Sequence, residues 1–174
     1  MATTLPCLSP TMRLFLYSSA DDDRQWVHWK LVPQLEKQYA FCLCIHHRDF
    51  MAGRDIADNI ELPIQQSRKV LVIMSPNFLI SRWCSEEVEM TNNLDPTKLI
   101  VIMYKDVLLV HSPIPPLMQH LLENRTYIKW YEEAQGQSLF WKKTRKALYN
   151  KHMMYSQHDQ PVVLSSSEQM LLKL

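Results

Sequence analysis

Glycine is nearly absent from this chain: two residues in 174, Gly53 and Gly136. Loops that cradle phosphates need several glycines close together, so a nucleotide-binding loop of that kind is excluded. The triplet His47-Arg48-Asp49, which mimics a kinase catalytic loop, stands without the phosphate loop it would require. Long apolar runs are missing too, and stretches such as Val70-Leu71-Val72-Ile73-Met74 stop far short of the roughly 20 residues that cross a bilayer. Nor is there an excess of one charge: 19 Lys and Arg against 18 Asp and Glu leave a formal net charge of +1. With cations scattered, apart from Lys142-Lys143-Thr144-Arg145-Lys146, no electrostatic footprint for nucleic acid exists. The four cysteines, at 7, 42, 44 and 84, are too few and too irregularly placed for a disulfide framework and read as reduced thiols. Residues 1–10 lack the basic start and apolar centre of a secretory signal, so a cytoplasmic location is expected. No internal repeat and no nucleophile elbow with a Ser-His-Asp order is found.

What is present is a chain 47% hydrophobic with five Trp, long enough for one domain with a full core. Residues 1–11, with Pro6 and Pro10, read as a flexible lead, and 151–174 carry no pattern and read as a mobile tail. Between them strands and helices alternate. Arg13 to Tyr17 is a strand, closed by Ser18-Ser19 and an acidic run that suits a helix start. A helix follows from about Arg24 to Tyr39, with Pro33 predicting a kink or a broken turn. Cys42 to Ile45 is a second strand. Ile56, Ile60 and Ile64 recur every four residues in a helix that Pro63 and Ser67 help to end.

Lys69 to Met74 and Lys98 to Tyr104 lack alternation, which implies burial on both faces, as in a parallel sheet covered by helices. Ser75-Pro76 and Ser81 are helix starts. Residues 106–123 are irregular with one short helix. Thr126 to Trp130 is a last strand, and Ser138 to Asn150 a last helix. Five strands alternating with helices give an α/β fold, a flavodoxin-like five-stranded parallel sheet with helices on both faces.

Function is expected in the segment after the second strand, Arg48-Asp49-Phe50-Met51-Ala52-Gly53-Arg54, because ligands and partners collect at the carboxyl ends of the strands in such sheets. Gly53 suits the left-handed conformation of a tight loop-to-helix turn. Two other constellations fall away. Cys42, Cys44 and His46 could be imagined around zinc, but same-face strand residues are too widely spaced to chelate one ion and no fourth ligand is identifiable. Buried small thiols are the better reading. A phosphoryl-accepting receiver would need Asp at the end of the third strand, where this chain has Ser75.

Taken together, Leu31-Val32-Pro33-Gln34-Leu35-Glu36, Arg48 to Gly53, Ser75-Pro76-Asn77-Phe78, Ser81-Arg82-Trp83-Cys84, Asn124-Arg125-Thr126-Tyr127-Ile128-Lys129-Trp130 and Phe140-Trp141 resemble a Toll/interleukin-1 receptor (TIR) domain, over residues 12–150. Of its branches, the cytoplasmic domain of Toll and Toll-like receptors is most similar. Two departures are visible: Thr11, Met12, Arg13 and Leu14 stand where the family's first box has an aromatic, Asp and Ala, and Ala52 stands where the loop usually has Pro, which frees a backbone dihedral.

The resemblance implies innate-immune signalling by association with other TIR domains, including copies of this chain, through the segment 48–54. Phe50 and Met51 would then be apolar anchors, with Arg48, Asp49 and Arg54 giving charge complementarity. The alternative is that Phe50 folds back onto its own helix and the charges are merely solvated. The resemblance also implies a possible enzyme, since some TIR domains cleave NAD with a Glu on the helix after the Trp-Cys segment, here Glu87. NAD would be the substrate, and no cofactor or metal is required. Nicotinamide is a cationic leaving group, so one carboxylate facing an oxocarbenium-like ribose could suffice, with Tyr17, Ser18 and Trp83 lining the pocket. Against this, Glu86, Glu87 and Glu89 read equally as a first-turn acidic cluster favoured by the helix dipole. A third possibility is an inhibitory decoy that binds TIR domains without passing the signal on.

Overall fold

A computed structural model describes residues 13–18, 22–107 and 114–149. The expected lead at 1–11 and tail at 151–174 lie outside these. Five parallel strands run in the order β2-β1-β3-β4-β5, with β1 Arg13–Tyr17, β2 Cys42–Ile45, β3 Lys69–Met74, β4 Leu99–Met103 and β5 Tyr127–Lys129. The helices are α1 over 22–38, a single turn α2 at His46–Asp49, α3 Ile56–Gln66, α4 Pro76–Ile80, α5 Arg82–Leu94, α6 Pro116–Asn124 and α7 Ala134–Tyr149. No described helix is long and apolar enough to cross a membrane.

Strand alternation divides the core into two layers. Leu14, Leu16, Leu71, Ile73 and Ile102 face α1 and α7, joined by Val27, Leu31, Leu35, Phe140 and Leu148. Phe15, Tyr17, Val70, Val72 and Met74 face the other way and pack on Ile60, Ile64, Phe78, Val88 and Met118. Both faces of β1 and β3 are therefore apolar, which is why these strands read as unbroken runs. Strand β2 lies at the sheet edge, so Leu43 and Ile45 are buried while Cys42 and Cys44 are only half-buried. Cys42 is disulfide-bonded, whereas Cys44 and Cys84 are free. That corrects the expectation of four reduced thiols: the edge position leaves Cys42 reachable.

Local signals set the helix starts as expected. Ser75 Oγ accepts the Phe78 N–H at 3.1 Å with Pro76 in the first turn, and Ser81 Oγ accepts the Cys84 N–H at 3.4 Å. Pro33 does not break α1. The helix widens on either side of it into π-type turns, Val27–Leu31 and Gln34–Gln38, whose carbonyls are reached from five residues on, as in Val32 N–H to Val27. Likewise Pro63 sits inside α3, which ends at Ser67. Helix α7 begins four residues before the expected Ser138, and Gly136 in its first turn is there for space: a Cβ at that position would lie 2.3 Å from Tyr131 Cβ.

Candidate functional site

At the carboxyl end of β2 the chain does not protrude at once; it makes the turn α2, and this turn seals the sheet edge. Asp49 Oδ2 accepts the Ile45 N–H at 2.8 Å and Arg48 Nη2 donates to the Leu43 carbonyl at 2.6 Å. Those are backbone groups of β2, an edge strand whose open side would otherwise template pairing with another chain. Arg48 also pairs with Asp49 at 2.9 Å and, across to α1, with Glu36 at 2.9 Å. Two of the three charges expected to face a partner, Arg48 and Asp49, are thus engaged within the domain.

Phe50 is half-buried. Its ring lies 4.3 Å from the His46 ring and stacks on Phe15, centroids 6.0 Å apart. The ring thus turns inward, onto β1 and α2 rather than onto the helix that follows it, and Arg48 and Asp49 are paired rather than merely solvated. Met51 is different: it is 57% exposed, and Ala52, Gly53 and Arg54 after it are exposed as well. Gly53 takes φ +83°, the left-handed turn expected of it. Asn59 of α3 holds Met51 at both backbone groups, accepting its N–H and donating to its carbonyl, each at 3.0 Å. This clamp offsets the freedom that Ala52 gives the segment. Beneath it runs a groove of about 470 Å³ between β2 and α3, lined among others by Cys44, Phe50, Met51, Leu62 and Pro63.

The same end of the sheet carries Glu87. Helix α5 starts at Arg82, so Glu87 is in its second turn rather than its first, and it faces inward, 7% exposed. Tyr17, from the end of β1, is fully buried beside it and shares a 3.3 Å hydrogen bond with Thr91, one turn along α5. Ser18 follows Tyr17, half-buried, and Trp83 is in the first turn of α5. His46 Nδ1 stands 3.8 Å from Glu87 Oε1, beyond hydrogen-bond reach.

Burial pushes the Glu87 carboxyl up to about 7 and holds the His46 imidazole below its ordinary value. Each group is displaced toward its neutral form, so the contact is not a developed ion pair. His46 therefore joins the two halves of the site, touching Glu87 on one side and Phe50 on the other. Sequence reasoning weighed His46 only as a metal ligand and passed over Thr91 and Asn59. Thr91, at i+4 from Glu87, could have been found by helical spacing; Asn59 had no signal. Among the described residues no group of three His, Cys, Asp or Glu is placed to hold a metal.

Comparison with known proteins gives the site its context. A family model described as TIR domain matches residues 13–166. The chain is 35% identical over 153 residues to Toll-like receptor 13 of Mus musculus, covering 79% of this chain and 15% of that protein. It is 36% identical over 141 residues to Toll-like receptor 4 of Homo sapiens, covering 76% and 16%. The chain thus spans about one sixth of the length of these receptors. Among solved structures, the TIR domain of a Toll-related receptor from Hydra magnipapillata superposes with a TM-score of 0.62 at 23% identity, covering 79% of this chain and 98% of that one. A prokaryotic SEFIR domain gives 0.58 at 19%, covering 79% and 98%. These two likenesses speak to the fold alone. With the family model spanning most of the chain and the strand order, caps and turn in place beneath it, the chain belongs to the TIR domain family.

Proposed function

We propose that this TIR domain passes a signal by associating with other TIR domains, copies of itself included, in a Toll-like innate immune pathway on the cytoplasmic side of the membrane. The observation that carries the reading is Met51, an exposed thioether on a segment fixed by the Asn59 clamp. An apolar tip already held in one conformation loses little entropy on docking. Arg54 beside it is exposed and supplies the charge of the rim. Phe50 acts from behind, as a prop for the segment, and Arg48 and Asp49 keep the β2 edge closed so that association goes through side chains rather than strand pairing.

Sedimentation velocity over a concentration series tests this. Met51→Asp is expected to weaken association at least about tenfold, the scale of a central apolar contact, while leaving the circular dichroism unchanged. Association of Met51→Asp equal to that of the unsubstituted chain would remove the segment from the interface. An inhibitory decoy would assemble in the same way and differ only in failing to activate a reporter when expressed in cells.

A second reading is NAD cleavage at Glu87, favoured by one feature: a buried carboxyl at the carboxyl ends of β1 and β2, beside His46. As the nicotinamide–ribose bond breaks, the pair of electrons leaves with nicotinamide and an ionised Glu87 stabilises the ribosyl cation until water adds. Because the group ionises near pH 7, turnover should rise with pH through neutrality. NAD consumption by concentrated purified protein, lost in Glu87→Gln, is the expected result; no consumption in a sample that visibly assembles would leave the scaffold reading alone.

A further inference from the structure

On the opposite side of the domain from the groove under Met51, the two π-type turns of α1 form one wall of a second groove, of about 310 Å³, whose other wall is Trp130, after β5, and α7. Three of the five tryptophans meet there: Trp29, Trp130 and Trp141. Trp29 is 72% exposed, an unusual position for the largest apolar side chain and one that burial in this domain does not explain. Trp130 is buried, edge-on to Trp141 at 6.0 Å, and gives its indole N–H to Glu132 at 3.1 Å. The indole N–H groups of Trp29 and Trp141, by contrast, meet no acceptor among the described residues, and neither do the side-chain amides of Gln34 and Gln38 find partners there. The groove therefore combines flat apolar faces with unspent donors.

We propose that this groove binds an acidic, proline-containing peptide segment of a partner protein in the polyproline II conformation. Such a segment has no internal hydrogen bonds, so its carbonyls need donors from outside, and indole and amide N–H groups supply them. Proline rings stack flat against indoles, and the rigid ligand loses little freedom on binding. Charge sets the sign of the ligand. Lys30 and Lys37 line the groove, neither is ion-paired among the described residues, and no carboxylate lines it. Exposed indole faces also attract cations, but the two ammonium groups that line the groove repel one. The helix geometry points the same way: Trp29, Lys30, Gln34, Lys37 and Gln38 all fall within the π-type turns, and such turns recur at functional sites because the extra residue per turn re-aims side chains.

Isothermal titration of the whole chain with a peptide of repeated Pro-Pro-Glu tests the proposal, alongside peptides of repeated Pro-Pro-Lys and Gly-Ser-Glu and vesicles containing phosphatidylserine. Saturable binding of Pro-Pro-Glu is expected, at least about tenfold weaker for the other two peptides and for Trp29→Ala. A second variant, Lys30→Glu with Lys37→Glu, leaves the indoles in place and should lose the preference for Glu over Lys in the peptide. No binding of Pro-Pro-Glu, equal binding of Gly-Ser-Glu, unchanged affinity in Trp29→Ala, or Trp29-dependent binding to the vesicles instead of the peptide would each overturn it. Met51→Asp should bind the peptide normally, which separates this site from the proposed association surface.

Discussion

Phe15→Ala is expected to cost about 3–5 kcal/mol of folding stability, the range for removing a buried aromatic ring, and to lower Tm by roughly 6–20 °C for a domain of this size. The ring is fully buried in the layer between the sheet and α3 to α5. It meets Tyr17 edge-on at 4.6 Å and carries Phe50 stacked at 6.0 Å. The substitution therefore opens a cavity under the segment that presents Met51, and part of the cost belongs to the Phe15–Phe50 contact. Urea denaturation of Phe15→Ala, Phe50→Ala and the double variant separates the parts. A coupling of about 0.5–1.5 kcal/mol is expected for a stacked pair. If the two single effects add, Phe50 is not supported by Phe15, and the rigid presentation of the segment loses its physical basis.

The reach of local pattern is visible in which features of this site could be read in advance. Lys69 to Met74 was legible because burial on both faces writes itself as an unbroken apolar run, and Ser75 and Ser81 were legible because a cap is a contact across three residues. Arg48 and Asp49 were not. Their partners are the Leu43 carbonyl and the Ile45 N–H, and whether those groups need partners depends on β2 being at the sheet edge, which is a matter of strand order. Glu87 sits in a polar run, Ser85-Glu86-Glu87, and only the packing of α5 against β1 decides that it points inward while Glu86 is exposed and pairs with Arg82 at 2.9 Å. The exposure of Trp29 was not legible either. The π-type turns shift the phase of α1 around Pro33, and the indole ends in solvent.

Glu87→Gln is expected to raise stability by about 3 kcal/mol at pH 8 and to change it little at pH 4, because the native state holds this carboxyl at about 7 against an ordinary value of 4.5. The sign follows from proton counting. Between pH 4.5 and 7 the folded protein binds a proton that the unfolded chain has released, so stability falls as pH rises across that window and levels off above it. Around Glu87 stand Tyr17 from β1, with Cys44 from β2 beyond it, His46 from α2, and Cys84 and Thr91 from α5. Burial holds Tyr17, Cys44 and Cys84 above their ordinary values, outside the window. His46 is the one opposing group: its lowered value means the unfolded chain binds the proton more readily, so its contribution rises with pH. It is 61% exposed, and solvent screens its share, so Glu87 should dominate the profile. Urea titrations from pH 4 to 8 then give a falling curve for the unsubstituted chain, a steeper fall for His46→Ala, and a nearly flat or slightly rising curve for Glu87→Gln. A fall that persists unchanged in Glu87→Gln would mean that the carboxyl is solvated and ionised in the native state, and that another group sets the profile.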